Sequence, residues 1–440
     1  MFNVLYNLGT LFLFPLVLLF HLCQLIGGKR PPALGERLGS IPGGLLQRIA
    51  GRPVIWVHAV SVGETQAARP LLTALRKRHP GHAILVSNTT ATGRAVSAGI
   101  PEIDLCICFP FDFLPAVRRA LAAVRPAAIV IMETEIWPNF TREAQRRGIP
   151  VLLANGRISD RSFGRYRKFS WFFRSTLRRF SSLCMQSEGD RDRIVAIGAL
   201  PERTLVTGNV KHDIAFRPVL PEEKGELRAR YLIPAAVTVI CAGSTRPGEE
   251  AYLIASYREL LASCNDLFLV LAPRHPERSG EIAALLEKGG LAYRRRSSLQ
   301  DSSCAEFAPG EVLLVDGVGE LMHLYALSDL CFVGGSLVEL GGHNLLEPAS
   351  RGIPSIYGPH MNNFREVAAL VSRFRAGIQI DSPGALTSAC RRLIEDAELR
   401  STLGGNALRM MQESGGATLR HIEVIDRYLA SAPSPRPHCH

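Results

Sequence analysis

The sequence predicts an α/β protein made of two doubly wound, Rossmann-like halves behind an apolar N-terminal helix. Three observations carry that reading. At 440 residues the chain is too long for one compact core. Strand-length apolar runs alternate with helical stretches, and the alternation restarts after a Pro- and Glu-rich stretch at 217–225. Residues 2–26 carry no Asp, Glu, Lys or Arg and are almost wholly apolar.

Taken in order, residues 1–27 read as a membrane anchor, with Lys29, Arg30 and Arg37 directly after them. Basic residues there place the body on the cytoplasmic side. A cleaved signal peptide needs a basic leading region and a small-residue cleavage site, and neither is present. Asn7, Pro15, His21 and Gln24 weaken a span, so spanning and lying in the interface both stay open. A Pro/Gly-rich spacer follows at 27–51. Strands are expected at 54–57, 83–87, 105–108, 127–132, 151–154, 183–186 and 205–207, with helices such as 113–124 and 140–147 between them. Continuous apolar runs of this kind belong to parallel sheets covered on both faces. After a linker at 217–225, strands recur at 237–242, 267–272, 312–315, 330–333, 355–357 and 377–380. The domains are therefore 28–217 and 218–430, with ligands expected in the cleft between them. The Pro-rich tail 431–440 is expected to be disordered.

Charge narrows the function classes. The net +11 divides unevenly: residues 1–217 hold 29 Lys+Arg against 14 Asp+Glu, and the remainder 22 against 26. A basic half joined to an apolar anchor points to an anionic membrane surface or lipid rather than to nucleic acid. The ten cysteines are scattered, with only Cys106 and Cys108 close together. They form neither a zinc framework nor a disulfide scaffold, which fits a reducing compartment.

No G-x-S-x-G, HExxH, Walker A or leading G-x-G-x-x-G is present, which removes lipase, zinc protease, kinase and ordinary dehydrogenase chemistry. What remains is polar clusters at the carboxyl ends of predicted strands, where open α/β sheets build their sites. In HAVSVGET (58–65), Ser61 and Glu64 have capping-box spacing, and Glu64 equally suits a general base. In METEIWPN (132–139), strand alternation sends Glu133 and Glu135 the same way, and such acids need a cationic partner or a chemical role. TGNVKHDI (207–214) offers Lys211 to an anion, although most lysines are simply solvated.

In the second half, AGSTRPGEE (242–250) puts Ser244 and Thr245 between a strand and a helix, an arrangement that suits an anion. PRHPER (273–278) supplies Arg274, and GVGELMHLY (317–325) repeats strand, glycine and helix with Gly319. GGSLVELGGHNLLEPAS (334–350) joins two Gly pairs to Asn344 and Glu347, which suits a nucleotide with Glu347 on ribose hydroxyls. Residues 161–180 interleave Arg165, Arg167, Lys168, Arg174, Arg178 and Arg179 with Phe169, Trp171, Phe172 and Phe173. They read as an amphipathic helix, either packing its aromatics in the core or meeting phosphorylated lipid at a membrane.

VSVGET, METEIWPN, PRHPER, GELM and FVGGSLVELGGHN, in this order, resemble the Kdo (3-deoxy-D-manno-octulosonic acid) transferases of lipid A assembly, over nearly the whole chain. The resemblance implies the GT-B fold of two facing Rossmann-like domains. It implies inverting, metal-independent transfer of Kdo from CMP-Kdo to a tetraacylated, bisphosphorylated glucosamine disaccharide at the cytoplasmic face of the inner membrane, with no cofactor. By motif position it makes Glu64 the base, Glu133 a transition-state-stabilising acid and Lys211 a cationic stabiliser. It carries CMP contacts over to Pro273 and Arg274, to Val318, Gly319 and Glu320, and to Asn344, Leu345, Leu346 and Glu347. On that reading Glu64 both caps its helix and acts as base. Arg246 departs from the family's usual His, and Asn209 receives no role. Another membrane-associated GT-B glycosyltransferase, a nucleotide-sugar epimerase and a non-catalytic nucleotide-sugar-binding membrane protein are the competing readings. An anchor argues against the epimerase.

Overall fold

The computed structural model describes residues 2–26, 33–213, 216–300 and 305–430; the predicted tail lies outside them. The chain forms two compact units, residues 1–213 with 415–440, and residues 214–414.

The first unit carries a seven-stranded sheet, all parallel, ordered β3-β2-β1-β4-β5-β6-β7. Its strands are β1 (Val54–His58), β2 (Ala83–Asn88), β3 (Leu105–Cys108), β4 (Ala128–Met132), β5 (Val151–Gly156), β6 (Ser182–Met185) and β7 (Thr204–Val206). Val, Ile and Leu fill β1, β2 and β4, which are buried throughout because helices cover both faces. The chain winds outward from β1 to β3 and then returns to β4, so the crevice for a ligand opens past the carboxyl ends of β1 and β4.

The second unit repeats the plan in the order β10-β11-β9-β8-β12-β13-β14, again all parallel. Its strands are β8 (Thr238–Thr245), β9 (Leu267–Pro273), β10 (Tyr293–Arg295), β11 (Val312–Leu314), β12 (Leu330–Val333), β13 (Ser355–Tyr357) and β14 (Gly377–Gln379). Here the order reverses between β8 and β12. The edge strand β10 is a half-buried Tyr-Arg-Arg with no apolar run to announce it.

Four sequence expectations are corrected. The linker at 217–225 is largely the start of the helix Pro221–Arg230, whose Arg228 is buried and pairs with Asp329 at 2.7 Å. Pro at the first helical position followed by Glu222 and Glu223 is a helix start that the composition disguised. The spacer at 27–51 contributes to the first unit from residue 33 onward: Glu36 is buried, accepts from Cys108 N at 2.6 Å and pairs with Arg94. Residues 161–180 form two helices, Asp160–Lys168 and Ser170–Leu177, broken at Phe169. The helix Ala417–Ala430, which the sequence assigned to the second domain, packs in the first unit, where Ala417, Ile422, Val424 and Ile425 join the core with Leu71, Val130 and Leu152.

The apolar N-terminal segment is the helix Phe2–Ile26, with Pro15 inside it. It is pinned by Tyr6, whose hydroxyl donates to Asp112 at 2.8 Å, by an Asn7–Asn139 amide pair at 3.0–3.1 Å, and by Phe14 stacked on Phe113 with centroids 4.4 Å apart. Among the described residues no helix is long and apolar enough to cross a membrane.

Candidate functional site

The first polar cluster gathers past the carboxyl ends of β1, β4 and β7. β1 ends at His58, and the helix Val62–Arg78 starts four residues later with Glu64 in its first turn. The Ser61 side chain makes no capping bond; the Glu64 carboxylate instead accepts from Val60 N at 2.7 Å. The reciprocal capping box read from the sequence is therefore only half formed, one residue earlier than its pattern requires. Burial, with Glu133 and Glu135 nearby, pushes the Glu64 carboxyl up to about 7; Val60 N–H and Lys211 oppose the rise.

β4 ends at Met132, and Glu133 adopts a left-handed backbone, φ +57°. Strand alternation therefore does not reach Glu135, and the expected common facing of Glu133 and Glu135 has no such origin. A non-glycine residue in that conformation costs about 1–3 kcal/mol unless its surroundings hold it. Glu133 N donates to Ala154 O at 2.9 Å, and the Thr134 hydroxyl donates to Arg157 O. The Glu133 carboxylate meets Lys211 Nζ at 3.0 Å, with the lysine side chain 44% exposed. Glu135 is raised from its ordinary value by burial and by Glu133, with the nearby Trp137 indole opposing.

Lys211 sits on the short turn Val210–His212 after β7. Asn209, given no role by the sequence, builds this turn: its side chain accepts from Lys211 N at 3.0 Å and donates to Gln186 at 3.1 Å. Asn155 braces the turn by accepting from Val210 N at 3.1 Å, while Asn155 N donates to His421 Nε2 at 2.9 Å. A residue from the last helix thus supports the lysine's turn. Three carboxyls and one ammonium converge here, which suits proton transfer beside a developing charge.

In the second unit a cavity past β9 and β11 is lined by Pro273, Arg274, Val318, Gly319 and Glu320, together with Ser244. Six of the residues singled out by motif thus meet. Gly319 has φ +90°, which turns the chain sharply into the helix Leu321–Leu327, and Val318 is 83% exposed. The Glu320 carboxylate is already held by Arg296, at 3.0–3.3 Å, and by Tyr231 OH at 3.1 Å. Asn344 to Glu347 do not line this cavity. Asn344 accepts from Leu346 N at 3.1 Å at the start of the helix Leu346–Ala349. Leu345 and Leu346 point into the core, so only their backbones are free to meet a ligand. Burial raises Glu347, with Asn344 and Arg274 opposing.

Two acids escaped the sequence reading. Glu249 is fully buried and accepts from the N–H groups of Arg246, Gly335, Ser336 and Leu337 at 2.7–3.0 Å, tying the loop after β12 to that after β8. Glu250, also buried, pairs with Arg278 at 2.8 Å and accepts from Thr245 Oγ1 at 3.0 Å. The Thr245 hydroxyl is therefore engaged, and the anion site expected there would fall to the backbone N–H groups alone. Only the adjacent acids in AGSTRPGEE hint at these roles.

Two parallel doubly wound units, each with its polar loops past the strand ends, make up a fold of the GT-B type. A UDP-GlcNAc 2-epimerase from Neisseria meningitidis shares this fold: TM-score 0.55 at 15% identity, with 86% of this chain and 100% of that one covered. Sequence carries the assignment further. A profile of 3-deoxy-D-manno-octulosonic-acid transferases matches residues 33–214. The chain is 34% identical over 380 residues to the 3-deoxy-D-manno-octulosonic acid transferase of Haemophilus influenzae, covering 85% of this chain and 87% of that one. It is 36% identical over 390 residues to that of Bordetella pertussis, with the same shares covered. The chain belongs to the 3-deoxy-D-manno-octulosonic acid (Kdo) transferase family, glycosyltransferases of lipopolysaccharide synthesis.

Proposed function

We propose that this chain transfers Kdo from CMP-Kdo, with inversion and without a metal, to a sugar hydroxyl of the tetraacyl glucosamine disaccharide bisphosphate. Glu64 is the general base. The observation that carries this is a carboxylate poised at about 7 beside the Glu133–Lys211 pair, at the switch point of the first sheet. A base of that strength is half ionised near neutrality and still able to take a proton.

The Glu64 carboxylate accepts the acceptor's O–H proton as that oxygen attacks the anomeric carbon of Kdo. The bond from that carbon to the phosphate oxygen breaks on the opposite face, and its electron pair leaves with CMP. Lys211 offsets negative charge, and Glu133 stabilises the electron-poor sugar in the transition state. Arg274, the 318–320 turn and the backbone at 344–347 hold the nucleotide.

The acceptor is lipid, so the chain works at the cytoplasmic face of the inner membrane. In support, Phe12 is 77% and Trp171 63% exposed, and Arg165, Arg167, Lys168 and Arg174 are exposed beside Phe169 and Trp171. An apolar face flanked by cations suits an anionic bilayer surface.

The test incubates the reconstituted protein with CMP-Kdo and the acylated disaccharide bisphosphate and weighs the lipid product by mass spectrometry. Mass gains in Kdo units that vanish in Glu64→Ala support the reading. No gain from folded, reconstituted protein refutes it.

A further inference from the structure

Arg246 and His343 follow β8 and β12, the strands on either side of the second sheet's switch point. Arg246 Nε donates to His343 Nε2 at 3.3 Å, and Arg246 Nη1 lies 2.8 Å from His275 Nε2. A guanidinium only donates, so each imidazole presents a lone pair at Nε2 and carries its proton on Nδ1. The second imidazole fits this assignment, since His275 Nδ1 lies 3.3 Å from Glu277 Oε1. Burial, and after it the charges of Arg246 and Arg274, push His343 down to about 4, which keeps it neutral at physiological pH.

Two imidazoles therefore hold one guanidinium in place while occupying only part of its five-donor fork. Among the described residues neither Arg246 nor Arg274 has a carboxylate within ion-pair distance, whereas Arg278, Arg294 and Arg296 of the same unit are each paired. The acid beside Arg246 is no substitute, because the Glu249 carboxylate is taken up by four backbone N–H groups. Arg274, lining the cavity, and Arg246, fixed beside it, make no direct ion pair among the described residues and are open to an anion with at least two oxygens.

We propose that Arg246, positioned by His275 and His343, is a specificity-determining residue that binds an oxyanion of the sugar-nucleotide donor. This rests on the donor reading above. CMP-Kdo offers two such groups, the phosphodiester and the carboxylate of the sugar, and the planar fork fits either. Arg246 touches the ligand; His275 and His343 act through Arg246.

The test measures KM and kcat for CMP-Kdo and the calorimetric affinity for CMP in Arg246→Ala, Arg246→Lys and His343→Ala, each with a thermal melt. Arg246→Ala is expected to raise KM by about 10- to 100-fold, the span of a hydrogen bond to a charged group, with kcat little changed. A parallel loss of CMP affinity assigns Arg246 to the phosphate; unchanged CMP affinity assigns it to the sugar carboxylate. Lysine keeps the charge without the fork and should recover only part of the effect. His343→Ala should raise KM less, and in the double variant it should add little once Arg246 is gone, because the imidazole works through that guanidinium. KM and CMP affinity within twofold of wild type in both folded Arg246 variants overturns the proposal. That outcome differs from failure of the donor reading, in which wild-type protein itself makes no product from CMP-Kdo.

Discussion

Acidification through neutrality probes the proposed role of Glu64 most directly. An ordinary glutamate is fully ionised from pH 6 to pH 8, and a base of that kind would give a flat profile. With its carboxyl at about 7, Glu64 is roughly nine-tenths ionised at pH 8 and one-tenth at pH 6, so kcat/KM should fall about tenfold across the interval. Burial is the largest cause of the rise, and two neighbours act on it with opposite sign. Glu133 raises the value, so Glu133→Gln should move the acid limb to lower pH; Lys211 lowers it, so Lys211→Met should move the limb to higher pH. Both variants are slower if their proposed roles hold, but the position of the limb is independent of its height. The assay is initial-rate formation of Kdo-lipid at subsaturating CMP-Kdo in mixed buffers of constant ionic strength, corrected for donor hydrolysis. A limb near 4.5, or displacement in the same direction by both variants, refutes the reasoning.

Two other perturbations have defined outcomes. Asp112 accepts from Tyr6 OH and from Asn139 N and Phe140 N at 2.8–2.9 Å, capping the helix Pro138–Arg146 from a distant loop. Asp112→Ala orphans two buried N–H groups and should cost about 2–4 kcal/mol in denaturant unfolding. Burial lifts the same carboxyl to about 6, so its share of stability is greatest at low pH and is lost as pH rises through about 6; Asp112→Asn should flatten that dependence in thermal melts. Glu249→Ala strands four backbone N–H groups and should lower stability by about 3–5 kcal/mol while weakening CMP affinity, read by melting and calorimetry on the same protein.

Periodicity and strand-end motifs made much of this protein legible before any coordinates. Apolar runs such as those of β1, β4 and β9 are long, continuous and bounded by helices, and only a buried parallel strand satisfies all three conditions. The half-charged β10 has no such signature, because an edge strand is held by its neighbour's hydrogen bonds rather than by its own burial. Motif positions likewise brought Glu64, Glu133 and Lys211 to one place, and Arg274 with the 318–320 turn to another. Asn209, Glu249 and His421 went unseen as supports, since Glu249 and His421 act on backbone groups far away in sequence and Asn209 is tied to a side chain 23 positions away.

Local patterns also misled where they carried two meanings. Ser61-x-x-Glu64 has capping-box spacing, yet the carboxylate reaches Val60 N, a choice set by the turn out of β1 and not by the spacing. Alternation past Met132 failed because the left-handed Glu133 ends the strand.

The sequence by itself determined most of the elements, the parallel character of both sheets and the loops that bear charge, since burial period and turn chemistry are local properties. Only the tertiary structure decided which charges oppose one another, that the last helix packs in the first unit, and how far burial lifts a carboxyl. Those depend on distances between residues that no spacing encodes: 78 positions separate Glu133 from Lys211 and 97 separate Arg246 from His343.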